Sequence, residues 1–229
     1  MKNIFLIFII IFSIKISGQE YNKKTRYLIG TFHTQNTTIN GIALGAFPQF
    51  NDKSRFVKTN GIRLEIPGIG FLAPIGNGSP ISRTDSISGK FNRKDYEFDE
   101  IINGINISTG TVGDVNFNGI TIGTIAQFGT MNNGIAIAGV WNAMDISNGI
   151  QISGLLNETL YNNGVQISIQ NSSLVMNGLQ IGGINYGKEM YGIQIGIFNK
   201  SEETKGIQLG IWNVNEKRKF PLINWNFKD

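Results

Sequence analysis

Glycine recurs in this chain at an almost constant interval. It opens similar units at 104, 119, 134, 149, 164, 178, 192 and 206, with spacings of 15, 15, 15, 15, 14, 14 and 14 residues. The units read NGINIS, NGITIG, NGIAIA, NGIQIS, NGVQIS, NGLQIG, YGIQIG and KGIQLG. Most continue into a short apolar pair and an Asn, as in GVWN, GLLN, GINY, GIFN and GIWN. A period this short and regular demands that each unit occupy an equivalent place in a repeating architecture. NGIALGAF from Asn40 and NGIRLEI from Asn60 are diverged copies separated by longer insertions.

Each unit alternates. From Gly192 to Asn199, Ile193, Ile195 and Ile197 point one way and Gly192, Gln194 and Gly196 the other. A period of two in β-branched residues is a strand pattern. No stretch carries a helical apolar stripe, so the chain is expected to be all-β. The segments between units, such as KSEET and VNEKR, carry most of the charge. The Asn-Gly pairs at Asn118, Asn133, Asn148, Asn163 and Asn177 read as tight turns, because both residue types accept positive φ.

Two architectures satisfy this pattern. In the first, each unit is one strand of an antiparallel meander of about 12–14 strands, closed as an outer-membrane β-barrel. In the second, each unit is one 14–15-residue coil of a β-solenoid, with Ile stacked inside and Asn142, Asn157, Asn171, Asn185, Asn199 and Asn213 forming a polar ladder. The last strand, PLINWNF, favours the barrel: Ile223, Trp225 and Phe227 share one face, and Asn224 and Asn226 the other. Trp141, Tyr186, Phe198 and Trp212 recur near strand ends, where interfacial girdles lie. In the solenoid, Gln151, Gln166, Gln180, Gln194 and Gln208 would form a row on a flat Gln/Gly binding face. The absence of a 28–30-residue double period favours the solenoid, since a meander alternates its turns between two sides. The barrel is the leading expectation.

Residues 1–18 have the layout of a signal peptide: Lys2, an apolar run from Ile4 to Phe12 extended by Ser13 and Ile14, then Ser17 and Gly18. Cleavage after Gly18 leaves Gln19 first and removes Lys2 and Lys15. The balance is then 18 basic against 16 acidic residues, and the net charge falls from +4 to +2. The expected organisation is one β domain over 19–229. It comprises irregular strands and a long polar loop over 19–102, eight repeats over 103–219, and a terminal strand over 220–229. Before the repeats, TRYLIGTFH, INGIALGAF, RFVKTNGIRLEI and GIGFLAPIG read as strands, the last two separated at Pro67. The polar loop carries Asp95, Glu97, Asp99 and Glu100 after Arg93 and Lys94, and its carboxylates lack calcium-loop spacing.

The rest of the composition excludes chemistry. With 0 Cys and 1 His there is no thiolate site, no disulfide and no multi-His metal centre. His33 has no nucleophile beside it and reads as a strand-surface residue. Gly68, Gly70 and Ala73 match G-x-G-x-x-A, but Pro74 would break the helix that a dinucleotide site requires. No basic stripe interleaved with aromatics supports nucleic-acid binding. The expectation is a protein that is not an enzyme, with no catalytic, cofactor-binding or metal residues and no cofactor.

The GIQIGIFN and GIQLGIWN units resemble those of bacterial surface-repeat proteins built of tandem G-[IL]-Q-I-G-x-x-N units. The resemblance runs from Gly149 to Phe227 and thins upstream, where Asn106, Thr121 and Ala136 replace Gln. It implies export to the outer membrane or cell surface of a Gram-negative bacterium, with the lipid bilayer as partner, and it carries over no catalytic residues. The expected role is a small structural or surface barrel or narrow pore; the alternative is a secreted or surface-attached β-solenoid interaction module.

Overall fold

The computed structural model describes residues 23–47, 55–72, 75 and 98–227. Nine strands form one sheet in chain order: β1 (Lys24–Thr31), β2 (Thr37–Gly45), β3 (Val57–Glu65), β4 (Glu100–Ser108), β5 (Val115–Gly123), β6 (Ala126–Ala138), β7 (Trp141–Ser153), β8 (Leu156–Val214) and β9 (Lys219–Asn226). Every neighbouring pair from β1 to β8 is parallel. Only β9 runs antiparallel, against the end of β8. With 59 residues, β8 runs through several coils as one hydrogen-bonded strand, with Gly164, Gly178 and Gly192 at positive φ. The chain is therefore a β-solenoid. The barrel is overturned by the parallel pairing: a meander would place consecutive strands antiparallel.

The register is residue for residue. Leu28, Gly41, Gly61, Gly104, Gly119, Gly134, Gly149 and Gly164 align through successive pairs. Gly178, Gly192 and Gly206 continue the column within β8, each over the carbonyl of the glycine one coil earlier. At about 4.8 Å per rung, the ten glycines span about 43 Å. The column needs glycine for two reasons. From Gly41 to Gly192 its φ lies between +133° and +150°, a region L side chains avoid. A Cβ at any of these ten positions would also strike the backbone oxygen of the rung below.

The Asn-Gly pairs consequently lie inside strands, not in turns. The direction of the alternation also differs from the solenoid expectation. Gln151, Gln166, Gln180, Gln194 and Gln208 are all 0% exposed, whereas Ile193 and Ile195 are 39% and 38% exposed. The Gln row lines the interior and the Ile residues face outward.

The interior changes along the axis. Near β1–β3, Phe32, Ile39, Ala43 and Val57 make one small apolar cluster. Ile102, Val115, Phe117, Ala136 and Met144 make another. From Gln151 upward, the Gln and Asn ladders share the interior with Leu160, Leu174, Val175, Met176 and Met190. PLINWNF alternates as read from its sequence, but its role is to close the solenoid. Asn224 is buried and donates to Gln208 Oε1 at 3.2 Å, while Ile223, Trp225 and Phe227 stay exposed. Thus β9 is a polar cap over an open amide ladder.

GIGFLAPIG is not a strand: Ile69–Phe71 forms a single 3-10 turn. A Cβ on Gly68 would meet the Gly110 carbonyl, and one on Gly70 the Ala126 carbonyl, so these glycines permit a backbone–backbone approach. Ala73 and Pro74 lie outside the described residues, as do the signal-peptide segment and Arg93, Lys94, Asp95 and Glu97. Among the described residues, no helix is long and apolar enough to cross a membrane.

Candidate interaction face

The narrow coil accounts for the reversed polarity. At the corners, strand-end carbonyls turn inward and need donors. Asn142, Asn157, Asn171, Asn185 and Asn199 supply them, donating to the carbonyls of Ile152, Ile167, Ile181, Ile195 and Leu209 at 2.9–3.0 Å. The second amide hydrogen of Asn157, Asn171, Asn185 and Asn199 reaches the Oδ1 of the Asn one coil on, at 2.8–3.0 Å. This is the Asn ladder expected for a solenoid, and it begins at Asn157. Parallel to it, Gln166, Gln180, Gln194 and Gln208 each donate to the Gln one coil back at 2.8–2.9 Å. An amide ladder repeats at the same step as the backbone ladder, so one rung spacing satisfies both. Between the two ladders, a Cβ on Gly196 or Gly210 would strike the carbonyl of Gly182 or Gly196, leaving space for no larger side chain.

With amides inside, the aliphatic half of each strand faces out. One position after each column glycine stand Ile42, Ile62, Ile105, Ile120, Ile135, Ile150, Val165, Leu179, Ile193 and Ile207. Three positions after stand Leu44, Leu64, Ile107, Ile122, Ile137, Ile152, Ile167, Ile181, Ile195 and Leu209. All twenty are Ile, Leu or Val, and none is buried. Ile207 and Leu209 pair with Trp225 and Ile223 of β9, which extend both columns onto the cap.

One edge of this strip is a third ladder. Asn40, Asn60, Asn103, Asn118, Asn133, Asn148, Asn163 and Asn177 stand one position before the column glycines. From Asn60 to Asn177, each Nδ2 donates to the Oδ1 of the preceding Asn at 2.7–2.9 Å. Tyr191 and Lys205 take that position on the last two rungs. Ladder bonding holds the Asn side chains in one orientation, so this edge is ordered and uncharged below Lys205.

The charged groups lie elsewhere. Inside the lower coils, Arg63 is bound by Glu65 Oε2 at 2.9 Å and Glu100 Oε2 at 2.7 Å, and Arg55 pairs with Glu100 Oε1 at 2.7 Å. Asn106 accepts from Arg63 at 3.0 Å, and the Phe32 ring lies 4.0 Å from its guanidinium. Burial by itself would lower the Arg63 pKa, but the carboxylates of Glu100 and Glu65 outweigh it and hold the pKa above its ordinary value. Glu100 is thus no exposed loop carboxylate; β4 turns it inward. Asp99 beside it accepts the Arg55 backbone N–H at 3.2 Å. Sequence reading missed this cluster because Arg55, Arg63 and Glu100 meet only when β3 stacks on β4. The alternation placed Arg63 and Glu65 on the face opposite Ile62 and Leu64, and only the structure turns that face inward.

On the flanks, Trp141 donates to Glu158 at 3.0 Å and Tyr186 to Glu202 at 2.7 Å. Burial and that bond push the Tyr186 pKa up to about 12. These aromatics pair with carboxylates one coil away instead of forming a membrane girdle. His33 lies just beyond β1, with Nε2 3.0 Å from the Ala46 carbonyl. A half-open notch of about 340 Å³ beneath the cap has Glu203, Lys205, Glu216 and Lys217 in its wall, whose charges offset one another. Among the described residues no cluster of three or more His, Cys, Asp or Glu could hold a metal. Comparison with known proteins finds no matching family model, no similar curated protein and no similar solved structure.

Proposed function

We propose that the chain is an exported, non-enzymatic β-solenoid interaction module of the bacterial cell surface, and that it works through its aliphatic face. The observation that carries this reading is the double column of twenty aliphatic positions. Exposed apolar patches of this extent, rimmed by polar residues, mark binding surfaces. A fold selected only to stand in water has no reason to keep every one of these positions aliphatic over ten rungs. The signal-peptide layout of residues 1–18 supports export, and the surface-repeat resemblance supports the location.

The test is to express the whole chain with a C-terminal epitope in a Gram-negative host. The expected result is a form beginning at Gln19, digested by protease added to intact cells. A triple variant, Ile120→Lys, Ile150→Lys and Ile195→Lys, is expected to be exported and folded but to lose the cross-links that a membrane-impermeant reagent forms through this face on intact cells. An uncleaved cytoplasmic protein, or a triple variant that cross-links as well as the wild type, overturns the proposal.

A further inference from the structure

We propose that the occupant of the aliphatic face is a second copy of the chain, packed face to face as a two-fold dimer. This rests on the reading of that face as a binding surface and names its partner.

The dimensions fit. Two columns about 7 Å apart on a strip about 43 Å tall cover roughly 600 Å². Adding the flanking Asn and corner columns brings the face to roughly 1,100 Å². Two copies would bury roughly 1,200–2,200 Å² in total, the span of stable specific interfaces.

The shape and charge also fit. An in-register ladder of branched side chains presents ridges at a fixed step, and a second identical ladder has matching grooves. Sheets packed in this way sit about 10 Å apart with interdigitated side chains. A two-fold axis makes such a patch complementary to itself. The strip contains no charge, and its Asn edge bears only Lys205, so two copies meet without repulsion. A lipid headgroup surface would be served by a cationic rim. The nearest charged column here, three positions before the glycines, instead carries Glu189 and Glu203 on the upper rungs and Lys58 on a lower one.

The ends of the solenoid do not offer the same fit. Leu28 occupies the column position on the lowest described rung with φ +69° and 79% exposure. A rung stacked beneath in register would have to place its carbonyl against that side chain, as the glycine column shows. At the other end, β9 reverses strand direction and ends the parallel register. Copies are therefore directed to meet by faces and not end to end.

The experiment is sedimentation equilibrium of the purified protein beside flotation with phosphatidylethanolamine–phosphatidylglycerol vesicles. The wild type is expected to be a dimer that does not float. The Ile120→Lys, Ile150→Lys, Ile195→Lys variant should keep its circular dichroism and weaken dimerisation by about 100-fold or more, because an unpaired charge in an apolar contact costs several kcal/mol. Should the triple variant fail to fold, single-cysteine variants carry the test, since the chain has 0 Cys. Ile135→Cys and Ile150→Cys, at mid-strip, should cross-link between copies with a short bis-maleimide, and Glu202→Cys should not. A wild-type monomer that binds vesicles overturns the dimer but leaves the face a binding surface. A monomer that neither dimerises nor floats, and matches the triple variant in both assays, overturns the dimer and the proposed function together.

Discussion

Replacing Gln180 by Leu tests the inverted interior directly. An aliphatic side chain is the better occupant of a buried site only where no polar neighbour depends on it. Here Gln180 donates to Gln166 Oε1 at 2.8 Å and to the Tyr186 carbonyl at 3.1 Å, and accepts from Gln194 Nε2 at 2.8 Å. Leucine leaves one Gln194 N–H without its ladder acceptor and the Tyr186 carbonyl without this donor. Gln166 Oε1 keeps the Ser173 hydroxyl at 2.9 Å. Two orphaned groups at about 1–3 kcal/mol each give a loss of about 2–6 kcal/mol. Urea unfolding followed by far-UV circular dichroism measures it, and an unchanged m-value shows that the denatured state is unaffected. The double variant Gln180→Leu, Gln194→Leu removes both partners of one ladder bond. Its loss should fall short of the sum of the single losses by about 1–3 kcal/mol. A Gln180→Leu loss below about 0.5 kcal/mol, the range of ordinary surface substitutions, would refute the reasoning.

Four other outcomes are expected. At dilutions where the wild type is monomeric, Ile195→Lys should change the urea midpoint little, because the side chain faces outward from the coil and the ammonium reaches water; loss of folding would show that this column is buried within the coil. Gly149→Ala should cost at least about 3 kcal/mol in the same assay, since it combines a φ of +143° with a collision on the Gly134 carbonyl. Arg63→Met should cost about 3–5 kcal/mol, because it leaves the buried Glu65 carboxylate without its cation and Glu100 with Arg55 alone. Tyr186 should titrate at about 12 by tyrosinate absorbance, and Glu202→Gln should bring that midpoint down. Its folded pKa lies above the unfolded value of about 10, so the Tyr186–Glu202 contact stabilises fully below pH 10 and is lost as pH rises towards 12.

Much of this architecture was legible along the chain because its signals are local. Gly104 to Gly206 mark one position per coil, and Ile193, Gln194 and Ile195 announce alternation. Asn157 to Asn213 were readable as a ladder because identical amides at a constant interval have few other uses. The Asn-Gly pairs misled: a positive-φ glycine serves a tight turn or a stacked strand equally well, and only the carbonyl of the neighbouring rung distinguishes them. PLINWNF misled for a similar reason, since one alternating strand suits a barrel wall and a solenoid cap alike. The Arg55–Arg63–Glu65–Glu100 cluster joins segments tens of positions apart and left no mark beyond two charges on the face opposite Ile62 and Leu64.

The sequence by itself determined the period, the all-β character and the division of each strand into an aliphatic and an amide half. These follow from backbone stereochemistry and side-chain alternation, which act over a few residues. Only the tertiary structure decided that successive units stack parallel, and that the amide half faces inward. Both depend on how tightly the coil closes: a narrow coil turns corner carbonyls inward, where Asn142 to Asn199 must meet them. Burying those amides in register places Ile, Leu and Val on the outside.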